Sequence, residues 1–460
     1  MSSRMLHQAA LDQLRSGFTG TLLAPGDPSY EETRHVFNAM IDRSPAMIAL
    51  PGNEAEVAKA IAYGRREDLE IAVRGGGHSV AGNSASDGLV IDLRHMNTAA
   101  VDPEARTVRV GGGATMADLD GATQPYGLAT TGGRVSSTGV GGFVLGGGSG
   151  WLERAFGLAC DNLLAAEMVT ADGDLVRATG HTHGELFWAL HGGGGNFGVV
   201  TSLTLRLHPL PALTAALLLW PPQAGPEVTR AYRDFMAAAP DQVGGGLIYL
   251  TAPDEPFVPT ELVGKLVCMV LITYTGPEAQ AREVMAPMLG LGHAGEMIAQ
   301  LPYAQLQSML DDPPGYRNYW SAEHLDAFPD EAVDEFCARA ADMIVPSPSQ
   351  HVLFPEGGAV ARDADLYPLP WRHAPWTVHP FGLWDDPADD ARGKQWARAL
   401  RSDLKPWASG SVYLNFIGQE GADRVVAGFG QDNYRRLAEV KAHYDPGNVF
   451  HHNHNIRPAT

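Results

Sequence analysis

In Ile71-Ala72-Val73-Arg74-Gly75-Gly76-Gly77-His78-Ser79, a short apolar run breaks into three consecutive glycines and a histidine. The apolar residues read as a strand, and the glycines as backbone leaving its end. Backbone N–H groups with no Cβ beside them hold phosphate oxygens on amide dipoles alone. Gly75–Gly77 and Gly139–Gly150 contain no Lys and no Arg, so a diphosphate bound there would rest on the backbone. His78 admits two readings: a histidine that caps a turn by hydrogen bonds, or a nucleophile, base or ligand.

Working outward, glycine is the unusual number. The chain has 53 in 460 residues, and fourteen of the forty residues from Gly111 to Gly150 are Gly. That is well above the average of about 7%. No collagen period appears, and Val110, Leu119, Val140, Phe143 and Leu145 interleave. The pattern is ordered backbone in tight turns or pressed against something flat. A third cluster, Gly192–Gly198, contains a formal GxGxxG. A dinucleotide fingerprint follows a strand and opens a helix. Here a helix-like Glu185–His191 precedes it and the alternating strand Val199–Leu207 follows, so a Rossmann reading is rejected. No Gly-Lys-Ser/Thr occurs, which removes a Walker A loop.

Fifty-three acidic against 33 basic residues give a formal charge of −20. Such a chain repels phosphate backbones and anionic lipid, and neither nucleic acid nor membrane is expected as a partner. No apolar run reaches the ~18 residues of a spanning helix. The N-terminus, with Arg4, His7, Asp12 and Arg15, has no apolar signal core. Cys160, Cys268 and Cys337 fit neither a disulfide framework nor a metal site, and a cytoplasmic location is expected.

Elsewhere, Asn53 with Glu56 forms a capping-box-like start to a helix ending near Arg66. Met116–Tyr126 suits a helix closed by Gly127, and Ala165–Thr170 and Leu175–Ala178 flank the turn Asp172-Gly173 as a hairpin. From about 210 to 409 glycine thins. Helices at Glu227–Ala238, Ala279–Leu289, Asp330–Ile344 and Asp389–Arg401 alternate with strands at Gly246–Thr251 and Leu262–Tyr274. The class is α+β with a large sheet. A strand Ser411–Phe416 and a helix Asp423–His443 close the chain.

Arg74–Ser79 with Gly82 resembles the pyrophosphate loop of FAD-linked oxidases of the vanillyl-alcohol oxidase and berberine-bridge-enzyme type. The likeness continues in order through Gly132–Gly142, Leu145–Trp151, Gly157–Leu163, Leu186–Leu190, Gly193–Val200, Tyr413-Leu414-Asn415 and Tyr444–Phe450 with Asn453 and Asn455. The ending is similar to that of the bacterial 6-hydroxynicotine oxidase branch. The resemblance implies a two-subdomain PCMH-type FAD-binding domain (1–208), a substrate domain whose antiparallel sheet roofs the flavin (209–409), and a segment returning to the FAD domain (410–460). It implies FAD contacts at Arg74, Gly75, Gly76, Gly77, His78, Ser79, Gly82, Gly133, Val135, Thr138, Gly139, Gly142, Gly146, Gly150, Asn162, Gly198, Val199, Tyr413, Asn415 and Asn453. By the same resemblance His78 is the imidazole bonded to the flavin 8α-methyl. The family's second tether, a cysteine, falls at Val135, so one covalent link is expected. Cys160 reads as a small buried hydrophobe.

Pro355-Glu356-Gly357-Gly358 resembles the family's Pro-Tyr-Gly-Gly, with Glu356 in the aromatic position. That carboxylate is a candidate base or a site for a cationic amine. Pro370-Trp371-Arg372 resembles the family's Pro-His-Arg, and Arg372 is structural or pairs Glu356. Alternation along Tyr316–Trp320 places Asn318 and Trp320 on one face and Tyr319 on the other. Asn318, Trp320 and Trp371 are candidate substrate contacts, and Tyr413, sharing a face with Asn415, is the alternative base. His451-His452-Asn453-His454 has no defensible zinc spacing, and no metal is expected.

The resulting expectation is an FAD oxidoreductase taking hydride from a small, aromatic or cyclic alcohol or amine, with molecular oxygen as acceptor. The alternatives are a non-oxidative cyclase or a flavin-binding protein. An NAD enzyme would need a ribose-binding acid after GxGxxG, and Val199–Leu207 supplies none. Oligomeric state is open.

Overall fold

The computed structural model describes the backbone of residues 3–311 and 313–460, leaving Met1, Ser2 and Asp312 outside the described residues. The first sheet runs Thr21–Leu23, Met47–Leu50, Leu89–Asp92, Ile71–Arg74 in spatial order. Its last three strands are parallel. The crossover is the helix Glu54–Arg66, whose first turn is capped by Asn53 accepting from the Glu56 N–H. Only half of the expected capping box forms. The Glu56 carboxylate turns away and accepts instead from the N–H groups of Thr19, Gly20 and Gly52. The glycine loop leaves the carboxyl end of Ile71–Arg74, the end of a parallel strand where ligands bind.

A second, five-stranded antiparallel sheet orders Ala99–Asp102, Thr107–Gly111, Val199–Arg206, Leu163–Val169 and Leu175–Thr179. The hairpin read around Asp172-Gly173 joins its last two strands, with Gly173 at φ 89°. Met116–Thr123 is α-helical, tightens to a 3₁₀ turn over Gln124–Tyr126 and ends on the left-handed Gly127.

The third sheet is antiparallel and eight-stranded. Its path is Gly295–Gln300, Thr214–Trp220, Leu266–Tyr274, Val243–Thr251, Gln350–Pro355, Trp376–Trp384, Arg317–Trp320, with Glu323–Leu325 also on the Trp376 strand. Period-two alternation divides its faces. Leu247, Tyr249, Leu353, Val378 and Tyr319 pack in a core with the helices Gly225–Ala238, Asp330–Ala340 and Asp390–Asp403. Ile248, Val352, Phe354, His379, Phe381 and Trp320 face the other way, into a cavity.

Two C-terminal expectations are corrected. Residues 411–416 form no strand: Leu414–Phe416 is a 3₁₀ turn held by Phe416 N–H to the Tyr413 carbonyl. The long helix is two helices, Ala422–Phe429 and Gln431–Tyr444, because Gly430 between them takes φ 74°. Among the described residues, no helix is long and apolar enough to cross a membrane.

Candidate active site

The cavity, about 330 Å³, lies between the glycine loops and the inner face of the large sheet. Its loop wall is backbone against backbone. A Cβ on Gly76 would stand 2.3 Å from the Gly139 nitrogen, and one on Gly139 would stand 2.2 Å from that of Gly76. Side chains are excluded by contact, which leaves a cradle of peptide groups that fits a flat, phosphate-bearing cofactor.

His78 stands at the end of this cradle. Its ring stacks on Phe37 with centroids 4.2 Å apart, and Nε2 lies 2.8 Å from Ser137 Oγ. Burial pushes its pKa down to about 4. The imidazole is therefore neutral at pH 7, the state that attacks an electrophilic carbon.

The opposite wall is aromatic: Trp320, Phe354, Phe381, Phe416 and Trp151. Set among them is His379. Its Nδ1 donates to the Ser321 carbonyl at 2.7 Å, which fixes the tautomer and leaves Nε2 with a free lone pair. That Nε2 is buried without a protein partner. The ring is held flat on Phe416, centroids 4.2 Å apart and 7° between planes. Burial pushes its pKa down to about 3. A buried acceptor without a donor costs free energy unless a ligand supplies one. The sequence signal for His379 lay in Trp376–Trp384, where period two puts His379 and Phe381 on one face and Val378 on the other. That strand was not assigned from sequence.

Of the expected cofactor contacts, Gly75, Gly76, Gly77, His78, Ser79, Gly133, Val135, Thr138, Gly139, Gly142, Gly146, Gly198, Tyr413, Asn415 and Asn453 line the cavity. Arg74, Gly82, Gly150, Asn162 and Val199 are not among its lining residues. Arg74 is buried beneath the loop, donating to the carbonyls of Ser84 and Thr33 and pairing Asp92. Gly82 packs on Ile41, and Gly150 presses against the Gly132 carbonyl. Asn162 bridges the Phe156 and Leu158 carbonyls to His208, and Val199 is core.

The catalytic and substrate candidates divide similarly. Trp320 lines the cavity, while Asn318 stands behind it and accepts from its indole N–H at 3.2 Å. Tyr319 faces the helices, under the Arg398 guanidinium. Trp371 is buried behind Tyr413, centroids 5.1 Å apart. Arg372 does not pair Glu356. It makes a two-armed bond to Asp161, 2.9 and 2.6 Å, because the 3₁₀ turn Pro370–His373 aims it there. Glu356 is not among the cavity-lining residues; its Oε1 accepts from Thr377 Oγ1 at 2.6 Å. Burial, reinforced by Glu153, pushes its pKa up to about 8. Tyr413 lines the cavity, but its oxygen already accepts from the N–H of Gly148 (2.9 Å) and from Asn415 Nδ2 (3.0 Å). Burial pushes it up to about 12, so it is a wall fixture and not a free base.

A family model described as FAD binding domain matches residues 45–179, and one described as berberine and berberine like matches residues 412–457. The FAD-linked oxidoreductase pgmH of Aspergillus terreus is 30% identical over 99% of this chain and 97% of its own. The (R)-6-hydroxynicotine oxidase of Paenarthrobacter nicotinovorans is 30% identical over 95% of this chain and 97% of its own. The crystal structure of 6-hydroxy-D-nicotine oxidase from Arthrobacter nicotinovorans superposes with a TM-score of 0.84 at 27% identity, covering 96% of this chain and 99% of that one.

Proposed function

The chain belongs to the FAD-linked oxidoreductases of the berberine-bridge-like type, and from that premise we propose an oxidase whose flavin is attached through His78 alone. Its substrate is a small aromatic or cyclic alcohol or amine, and oxygen takes the electrons. We place the FAD-binding part at 1–208, the substrate part at 209–409 and the returning segment at 410–460. Three free cysteines suit a reducing, cytoplasmic setting.

The observation that carries this reading is one neutral imidazole at the end of a side-chain-free cradle, facing an aromatic wall with one unpartnered basic nitrogen. FAD, when bound, supplies the acceptor for hydride and the route of electrons to oxygen. The peptide groups of Gly75–Gly77 and Gly139–Gly142 would hold its phosphates, and the close approach of Gly76 and Gly139 leaves no room for a side chain between those two. Val135 occupies the place of a second tether, which leaves His78 as the single attachment. Trp320 and Phe381, stacked 4.0 Å apart, fix the plane of a flat substrate. His379 Nε2 accepts the hydrogen bond of the substrate O–H or N–H and so orients the neighbouring C–H for transfer.

Acid precipitation of the purified protein tests the attachment. A yellow pellet is expected; a colourless pellet under a yellow supernatant removes the covalent link. Anaerobic bleaching of the flavin by substrate, with peroxide on aeration, tests the oxidase chemistry.

A further inference from the structure

In a chain with 53 acidic residues, no Asp, Glu or Lys lines the cavity among the described residues. Arg134 is the one permanently charged side chain that does. Its guanidinium carbon lies 3.8 Å from the Phe354 ring centre and 5.0 Å from that of Trp151, so it belongs to the aromatic, sheet side. Nη1 donates to Ser149 and Nη2 to Glu153 Oε1 at 3.1 Å, while Nε has no protein partner. The Arg134 side chain is 13% exposed and Glu153 only 4%, so the cation is the partner turned toward the cavity.

We infer that the substrate carries an anionic group, a carboxylate or phenolate on its ring system, that docks on Arg134 while its O–H or N–H faces His379. This rests on the oxidase reading of the same cavity and narrows its substrate to aromatic acids. The charges behind Arg134 act in the same direction. Arg154 brings a second guanidinium, bonded to the Val243, Ala239 and Glu356 carbonyls. Burial holds Glu356 protonated at pH 7. Glu153, its own pKa raised by burial, is then the one carboxylate bonded to either guanidinium among the described residues, which leaves an excess of positive charge beside Arg134. The same positive field reaches His379, where it adds to burial in keeping the ring neutral. Aromatic walls exclude water, which strengthens a guanidinium–anion bond over its value in solution.

Titration of the flavin-loaded protein with benzoate and with benzamide, its uncharged isostere, tests this by calorimetry and by flavin difference spectra. Wild type is expected to prefer benzoate by about tenfold or more, the order of one charge-assisted hydrogen bond. Arg134→Met should bring the two ligands to parity, and Arg134→Lys should keep part of the preference. Because Arg134→Met strands Glu153, the double variant Arg134→Met/Glu153→Gln, which removes both charges, must show the same parity. Equal binding of the two probes to wild type, or an unchanged preference in the double variant, overturns the inference. So does loss of flavin from the double variant at unchanged melting temperature, which would assign Arg134 to the cofactor. A wild-type protein that never bleaches with any substrate defeats the oxidase reading, while a calorimetric preference for benzoate still upholds the anion site.

Discussion

Lys441 Nζ lies 2.7 Å from Asp445 Oδ2, and both side chains are wholly buried. The ammonium also donates to the carbonyls of Asn196 and Phe450, while the carboxylate accepts from the N–H groups of Val449 and Phe450. The pair thereby staples the C-terminal segment to the Gly194–Asn196 loop, both of which line the cavity. Removing one partner of such a pair leaves an uncompensated charge, at a cost of about 3–5 kcal/mol. Lys441→Met is expected to lose that much stability in a denaturant titration and to purify with less flavin. A variant that unfolds with wild type would show the staple to be idle.

The contact between Gly76 and Gly139 sets a second expectation. A methyl at Gly76 cannot coexist with the Gly139 nitrogen 2.3 Å away, so the loops must part. Gly76→Ala is expected to abolish flavin retention, read as the absorbance ratio of purified protein. Gly121→Ala is the control: its Cβ meets nothing within 4 Å and lies in the helix Met116–Thr123. It should keep its flavin and gain about 0.5–1 kcal/mol.

Why the loops were legible in sequence and the chemistry was not follows from these contacts. Backbone pressed on backbone demands glycine at Gly76, Gly139 and Gly141, so the loops that hold them announce themselves in composition. The sheet faces were legible wherever period two was read, as at Asn318, Tyr319 and Trp320. Charged and titratable side chains were not. Arg372 reaches Asp161 across 211 positions of chain, and Arg134 finds Glu153 through the fold of an intervening loop. Motif position does not determine such partners. Glu356, a candidate base by its motif, is buried off the cavity, while His379 lies on the cavity face of Trp376–Trp384, a strand that no motif marks.

His379 is expected to matter for turnover more than for assembly. His379→Leu removes the acceptor that orients the substrate O–H or N–H and should lower kcat by about 10- to 100-fold, with flavin content unchanged. His379→Gln, which keeps an acceptor oxygen, should recover part of it. Because the ring stays neutral down to about pH 3, it contributes no acid limb to kcat/KM between about pH 5 and 9. Equal rates for wild type and His379→Leu across an active substrate series would remove His379 from the chemistry.

Stability should fall on both sides of neutrality for separate reasons. His324, His351 and His379 are held near pKa 3 by burial, against about 6.5 unfolded. A depressed histidine binds its proton in the unfolded state first. Its favourable contribution is complete above about pH 6.5 and is lost as the pH falls from there toward 3, at up to about 1.4 kcal/mol per pH unit per residue. Glu356 runs the opposite way. Its pKa rises from 4.5 to about 8, so the folded protein keeps a proton the unfolded chain has released, and stability drains as pH climbs through that window. Between about pH 4.5 and 6.5 these three histidines, joined by His78, His191 and His454 at about 4, outnumber Glu356 and Asp120, the latter raised to about 7 by burial, so acidification still destabilises. His351 lies outside the cavity, stacked on Phe336, and its replacement separates stability from substrate binding. Melting curves from pH 5 to 9 should show His351→Gln with a shallower acid side by about one proton, and Glu356→Gln with a shallower alkaline side. Curves for both variants parallel to wild type would mean that these groups titrate alike in the folded and unfolded chain.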